Sequence, residues 1–378
     1  MKKWNKKLAL AMLSLGFASF TPNVAKADYF PNNNFDVYPS GPCSPCPPCD
    51  PCKDTSFSVG VDFLYWKPCV DDLDYAAAFR TETGTAPTST SFDLHYKSVC
   101  PDWEPGVRVR LGIPGCWRGF DVSASYTYLK SSDSNSTEPG IAESILATAA
   151  HPGISGLVPN GGFFTNARAK WELKYNAFDV LFHSPFRCNP CHLINPFFGI
   201  EGIWLNQNFD ARYEVLSVTD IVNADWESDY FGIGLKAGVD YTYTICDGLS
   251  LFARGSASLL TGDSDSKGFH AYNNLNTAGT LIGFTDLEYH DDDCCHIVPG
   301  YHIQAGFNYE GNSCGCEYNF RIGYEFLEWH NVSNYRRFFS TEDLVNASED
   351  NANAAYSTQT NTSNLGFHGL FAGFDFEF

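Results

Sequence analysis

The feature that most limits what this chain can fold into is alternation of apolar and polar residues over unusually long stretches. In FDVSASYTYLK (120–130), Phe120, Val122, Ala124, Tyr126 and Tyr128 share one face, and Asp121, Ser123, Ser125 and Thr127 share the other. FGIGLKAGVDYTYTI (231–245) sets Phe231, Ile233, Leu235, Ala237, Val239, Tyr241, Tyr243 and Ile245 against a face carrying Lys236, Asp240, Thr242 and Thr244. YHIQAGFNYE (301–310) and YNFRIGYEF (318–326) repeat the pattern, with His302, Gln304, Asn308, Glu310, Asn319, Arg321 and Glu325 on the polar side. A period of two belongs to a strand with unlike environments on its faces. Globular strands usually end after about 5–6 residues, whereas a tilted strand needs about 9–11 to cross a bilayer. The apolar faces also end in Tyr, Trp and Phe, the residues of a membrane–water girdle. A soluble sandwich alternates too, but seldom sustains this length so many times. The fold class expected is all-β: an antiparallel transmembrane β-barrel.

The chain is expected to be exported. Lys2, Lys3, Lys6 and Lys7 precede a short apolar run (8–20) and a small-x-small junction, Ala25-Lys26-Ala27, the pattern of a cleaved signal peptide over 1–27. Its apolar run is too short to span a bilayer, and no cysteine stands at the junction to carry a lipid. Removing 1–27 removes five lysines and no acids, leaving 19 basic and 44 acidic residues, a formal charge of −25. Such an excess speaks against nucleic-acid binding, which needs a basic face. Aromatics make up 16% of the chain, while mean hydropathy is negative. No apolar run long enough for a membrane helix follows the signal.

The expected strands are 57–66, 105–113, 118–129, 169–182, 196–208, 229–245, 249–261, 298–310, 317–329 and 366–378. Long connections (67–104, 130–168, 209–228, 262–297, 330–365) alternate with short ones (114–117, 183–195, 246–248, 311–316). Bacterial barrels have an even strand number, long extracellular loops and short periplasmic turns, so about ten strands with both termini in the periplasm is the expected topology. FDARY (209–213) alternates and extends a hairpin, and 276–289 offers a further strand, which would carry the count to twelve or more. Within 169–182 the apolar phase slips between Tyr175 and Phe178, which reads as a bulge. The chain closes on GLFAGFDFEF, where Leu370, Ala372, Phe374, Phe376 and Phe378 share a face.

FSVGVDFLYWKP (57–68), NPFFGIEGIWLNQNFDARYE (195–214), DYFGIGLKAGVDYTYTICDGLSLFARGSASLLTGD (229–263), FRIGYEFLEW (320–329) and LGFHGLFAGFDFEF (365–378) together resemble the Legionella and chlamydial major-outer-membrane-protein-like family of pore-forming barrels. The resemblance covers the strands from about 57 to 378 and none of the loops. It implies an abundant surface porin without catalytic residues. The terminal Phe378 resembles the signal by which barrel-assembly machinery recognises its substrates. The expected location is the bacterial outer membrane, with 28–56 in the periplasm and 57–378 forming the barrel.

If apolar positions face lipid, the alternates face the lumen. That set contains Asp62, Arg108, Arg110, Asp121, Glu172, Lys174, Lys236, Asp240, Arg254, Arg321 and Glu325. Two readings stand: a water-filled passage whose opposed charges sort small solutes or ions, or a narrow barrel packed shut by its own ion pairs.

Fourteen cysteines are unusual for such a barrel. Cys116, Cys188, Cys191, Cys246, Cys314 and Cys316 fall in the short turns. Cys43, Cys46, Cys49 and Cys52 recur every third residue in GPCSPCPPCDPC (41–52). In polyproline geometry those four line one side of a rod about 9 Å apart, beyond disulfide reach of about 7 Å. They are expected to meet partners outside the barrel. Cys69 and Cys100 lie in one long loop, where a local bridge would tie it down. Chlamydial envelopes are held by cysteine-rich proteins linked through disulfides, and this pattern resembles that arrangement: cross-links to such proteins or to other copies of the chain. Purely intramolecular bridges are the alternative, because spacing does not reveal connectivity.

HDDDCCH (290–296) gathers potential cation ligands but lacks a recognised metal spacing, so neither metal nor cofactor is expected. No acid–base constellation marks an enzyme. The rival to a porin is a surface adhesin or structural barrel without a conducting pore, whose Asn-, Ser- and Thr-rich loops meet a host surface.

Overall fold

The computed structural model describes residues 57–83, 90–117, 120–140, 143–158, 163–189, 191–215, 220–276, 280–313, 316–339 and 357–377. Residues 1–56, with the signal segment, Cys43, Cys46, Cys49 and Cys52, lie outside the described residues, as do Cys314 and Phe378.

The elements are β1 (Ser58–Val70), β2 (Asp74–Thr83), β3 (Thr90–Ser98), β4 (Glu104–Trp117), β5 (Phe120–Thr137), β6 (Glu143–Ala147), a one-turn helix α1 (Pro152–Ser155), β7 (Phe163–Phe164), β8 (Asn166–His183), β9 (Phe186–Asn189), β10 (His192–Val215), β11 (Asp220–Cys246), β12 (Leu249–Leu275), β13 (Leu281–Ser313), β14 (Cys316–Phe339) and β15 (Ser357–Glu377). Ten long antiparallel strands form a closed ring, in the order β11-β12-β13-β14-β15-β1-β4-β5-β8-β10 and back to β11. β9 prolongs the β8 line against the foot of β10. Closure places the first strand between the last, with Asp62 opposite Gly373, and β4, with Asp62 opposite Arg108.

The strands are far longer than expected, because most of the presumed loops are strand. Residues 209–228 complete the β10–β11 hairpin, with Phe209 opposite Trp226 and Val215 opposite Asp220. Segment 281–289 is the upper part of β13, paired with β12, and adds no further strand.

The physical reason is an inversion of amphipathicity along each strand. On the lower part of β10 the outward residues are Phe198, Ile200 and Trp204; above them come Asn206, Asn208, Asp210, Arg212 and Glu214. The inward residues run the other way, from Glu201 to buried Leu205, Phe209, Ala211 and Tyr213. β8 does the same without a break. Trp171, Leu173 and Tyr175 point inward, whereas Phe178, Val180 and Phe182 are on the outer side. The β5–β8 ladder holds one register from Asp121–His183 to Thr137–Ala167, so the bulge expected between Tyr175 and Phe178 is absent. What changes there is the solvent: lipid outside the lower half, water outside the upper half.

A smaller sheet, in the order β3-β2-β6-β7, comes from the two insertions flanking β4 and β5. Its inner residues Tyr75, Ile145 and Phe164 join Phe209 and Tyr213 of the barrel in one core. The Tyr213 hydroxyl donates to the Tyr75 carbonyl (2.5 Å), and Trp226 Nε1 donates to the Ala149 carbonyl (3.2 Å). Just before α1, the His151 N–H donates to Nδ1 of fully buried His270 (2.9 Å).

Burial, with a smaller contribution from His151, pushes His270 down to about 3. His270 therefore stays neutral while the unfolded chain takes up a proton below about pH 6.5. Stability of this upper packing is expected to be full above pH 6.5 and to fall by roughly 1.4 kcal/mol per pH unit as pH drops toward 3. Trp226 fluorescence during denaturant unfolding at pH 7 and pH 5 checks this. His270→Asn is expected to flatten the slope, and equal slopes in both proteins would refute the assignment.

Candidate functional site

The lower half of the barrel encloses charged side chains from nine strands. Asp62 on β1 is fully buried and is reached by Arg110 (2.7 Å), Arg321 (3.4 Å) and Arg108 (3.5 Å). Arg110 also meets Asp375 (2.8 Å), and Arg321 meets it at 3.6 Å. Beside this group, Glu325 accepts from Arg108 Nη2 (3.0 Å), Trp66 Nε1 (2.9 Å) and Gln304, and His302 Nε2 lies 2.9 Å away. Across the lumen, Lys236 bridges Glu201 (2.7 Å) and Asp179 (3.1 Å). Arg254 Nη2 pairs with Asp240 (2.8 Å) and stacks over Phe197 at 5.1 Å. Because strands tilt and the ring is small, inward residues from neighbouring and facing strands reach one another. Each acid, lysine and arginine named in this layer has an opposite partner, the condition under which ions tolerate burial.

Above this layer the ring is filled with aromatics. Trp66 lies 5.3 Å from Phe367 and 6.4 Å from Tyr175, and Trp329 Nε1 donates to the Tyr175 hydroxyl (3.3 Å). Arg108 joins the layers, its guanidinium 5.5 Å over the Trp66 ring. Below it, a cavity of about 290 Å³ opens among Asp62, Arg110, Asp121, Asp240, Arg254 and Arg321. Asp121 sits at that mouth and accepts from the Gly115 N–H of the first turn (2.8 Å).

The structure thus brings Asp62, Arg108, Arg110, Lys236, Asp240, Arg254, Arg321 and Glu325 into one interior network, with Asp121 at its edge. Glu172 and Lys174 are corrections. Both point outward, on the water-facing part of β8, and Glu172 pairs with Lys170 (2.5 Å). Their phase was assigned as if lipid bathed the whole strand, but above Asn176 the inside is apolar. Asp179, Glu201, Asp375 and His183 were missed. Each shares the inward parity of its strand, and that signal was masked by the supposed slip in β8 and by apolar neighbours in β10 and β15.

Cys69 and Cys100 are both exposed and unbridged, and Cys69 stands in the β1 ladder opposite Gly366 rather than in a loop. Cys188 and Cys246 are exposed and free at the short-turn end. There too lie Cys191, whose N–H donates to Asn189 Oδ1 (3.0 Å), the end of β4 carrying Cys116, and the start of β14 at Cys316. In HDDDCCH, His290 meets Asp292 (2.8 Å) and Asp265 (3.4 Å) at the exposed surface, but Lys267 already neutralises Asp265 (3.5 Å).

The family model described as Legionella pneumophila major outer membrane protein precursor matches residues 49–378. The chain belongs to this family. The match includes Cys49 and Cys52 of the proline-rich stretch and every strand of the barrel, so the ion-paired lumen is part of a member of an outer membrane protein family. Among curated proteins none matches. Among solved structures, the outer membrane protease OmpT from Escherichia coli aligns with 86% of this chain and 98% of its own, at 7% identity and a TM-score of 0.38. A FadL homologue from Pseudomonas aeruginosa aligns with 86% and 90%, at 7% identity and a TM-score of 0.19. Likeness this thin carries nothing about activity.

A Cβ added at Gly373 would stand 1.9 Å from Asp62 Oδ1 and 3.1 Å from Arg110 Nη2. Since Asp62 is held by three guanidinium groups, it has nowhere to move. Gly373→Val is expected to destabilise the barrel by about 1–3 kcal/mol. Glu325→Gln, which removes the closer of the two carboxylates paired with buried Arg108 and leaves only Asp62 at 3.5 Å, is expected to cost up to about 3 kcal/mol. The urea midpoint for loss of the compact gel form measures both, and midpoints equal to the parent's would show that the network does not brace the fold.

Proposed function

We propose that this chain is a non-enzymatic, structural and surface-displaying barrel of the bacterial outer membrane, closed to conduction at rest and tied into the envelope through cysteines at its short-turn end. One observation carries the closed state: two stacked layers of buried side chains, the Asp62–Glu325 ion-pair network and the Trp66–Tyr175–Phe367–Trp329 cluster, occupy the lumen one above the other. Ten strands enclose little more than side chains, so either layer is enough to block a hydrated ion. The upper half of the barrel then serves to present long water-facing strands to the exterior and to a host surface.

A porin for small hydrophilic solutes is the second reading. The charged cavity of about 290 Å³ below the aromatic layer favours it, as a vestibule to a passage that opens when the ion pairs rearrange. Planar-bilayer recording of the refolded barrel separates the two. The closed reading expects no steady conductance in the parent protein; a stable open channel would overturn it and establish the porin.

The envelope role rests on where the cysteines lie: Cys116, Cys188, Cys246 and Cys316 share the end that carries both barrel termini, beside Cys191, which is already disulfide-bonded, with the Cys43–Cys52 comb just before β1 in sequence. An oxidising periplasm would join them to cysteine-rich envelope proteins or to other copies. Gels of native envelopes are expected to show high-mass species that collapse to monomer with reductant and diminish in a Cys188→Ser/Cys246→Ser variant. Monomer under both conditions would eliminate the cross-link.

A further inference from the structure

The small upper sheet ends differently on its two sides. At one side β7 is only two residues long, and the Thr165 N–H directly after it donates to the Glu214 carbonyl of β10 (2.9 Å), so that side runs into the barrel wall. At the other side β3 keeps nine residues, Thr90–Ser98, and among the described residues it pairs with β2 alone. Its inner neighbour is covered, with Ala76, Ala77 and Ala78 of β2 buried. β3 itself is open on both faces. Leu94 and Tyr96 are 42% and 66% exposed on one, and the Asp93 and His95 side chains are 66% exposed on the other.

The backbone shows which groups this edge presents. The Val99 N–H donates to the Leu73 carbonyl (3.0 Å), on the β2 side. Successive residues of a strand bond alternately to one neighbour and the other, so Ser98, Tyr96 and Leu94 turn their peptide groups away from β2. Asn135 Nδ2, which donates to the Ser98 carbonyl (2.9 Å), agrees with that direction. Among the described residues no strand meets the outward groups of Leu94 and Tyr96.

Free edges are normally short, or carry proline, a bulge or charges that turn other strands away. β3 contains no proline, and the register shift in this hairpin falls on β2, between Asp74 and Ala76. Its charges are of mixed sign: Asp93, His95 and Lys97, two residues apart on one face, with the acid first. That order complements its own reverse. Run antiparallel to itself and centred on Leu94, the strand sets Asp93 against His95 of the second copy. Centred on His95, it sets Asp93 against Lys97 and Leu94 against Tyr96. Centring on Asp93 opposes two acids, and centring on Tyr96 opposes His95 to Lys97. Cross-strand charge thus favours the first two registers and disfavours the others.

We propose that β3 is a dimerisation edge, pairing antiparallel with β3 of a second copy of this chain and joining the two upper sheets into one. The interface is isologous, so each contact occurs twice. Backbone hydrogen bonds supply the attraction, as in other strand additions, and side-chain sign selects the partner. The pairing requires only that the long-connection end of the barrel stand in water. It holds whether or not the lumen conducts or the cysteines cross-link.

Sedimentation of the refolded, detergent-solubilised protein in reductant, which removes any disulfide link, is expected to show a reversible monomer–dimer equilibrium. A monomer at every concentration would overturn self-pairing and leave the edge to an extended segment of another protein. Leu94→Pro removes an outward N–H while leaving the β2 ladder intact, since proline is tolerated where the N–H faces solvent. With folding verified by the compact gel form, it is expected to weaken the dimer at least 10-fold, roughly the scale of one lost hydrogen bond. Asp93→Lys sets like charges opposite each other twice and is expected to weaken it by about 10-fold or more. Mixing D93K with H95D/K97D, each monomeric alone, is expected to restore pairing, because the all-basic face then meets an all-acidic one. A dimer that survives both single substitutions, or charge-reversed chains that stay apart when mixed, would overturn β3 as the interface.

Discussion

Hydrocarbon offers no hydrogen-bond partner to a peptide group, and each unsatisfied group there costs several kcal/mol. A chain that crosses a bilayer with strands must therefore leave no open edge, and here β1 pairs with both β15 and β4 while β10 pairs with β11. Everything inside follows from that closure. Ten strands make a narrow ring, so the interior must be filled rather than left void. The lower part is filled by charges that neutralise one another and the upper part by aromatic rings. Arg108 belongs to both, paired with Glu325 on one side and stacked on Trp66 on the other.

The second consequence is that one strand serves two solvents. Along β10 the outward series passes from Phe198 and Trp204 to Asp210 and Glu214, while the inward series passes from Glu201 to Phe209 and Tyr213. Backbone pairing does not register the change; side-chain chemistry does. The barrel can thus extend well beyond the membrane without a break in its ladder, its upper half an ordinary water-soluble β-structure with an apolar inside. The short sheet and α1 pack onto that apolar inside through Tyr75, Tyr213 and Trp226, giving the upper half a closed top layer.

The same inversion marks the boundary of what local pattern reading reveals. Where lipid lies outside, an alternating series has one meaning, and Asp62, Arg108, Lys236, Arg321 and Glu325 were legible as interior residues from parity alone. Above Asn176 the identical pattern carries the opposite meaning, and Lys174 was placed on the wrong face. Asp179 was lost to the same cause, because the strand looked slipped when it had only left the membrane. Glu201 and Asp375 were hidden for a simpler reason: each stands among apolar neighbours, and a single acid among them resembles noise until its lysine or arginine partner from another strand is seen.

The sequence by itself determined the strand chemistry, the closed antiparallel class, the ring of about ten and which strands join through short turns, because periodicity and turn length are local properties of a chain. Only the tertiary structure decided what fills the ring. Asp62 meets three arginines from two strands far apart in sequence, and Lys236 finds its acids on two more. Those pairings depend on strand tilt and ring size, which no segment contains. Whether a face meets lipid, water or another strand's side chains is likewise a fact about height in the assembled barrel, and height exists only once the strands have closed.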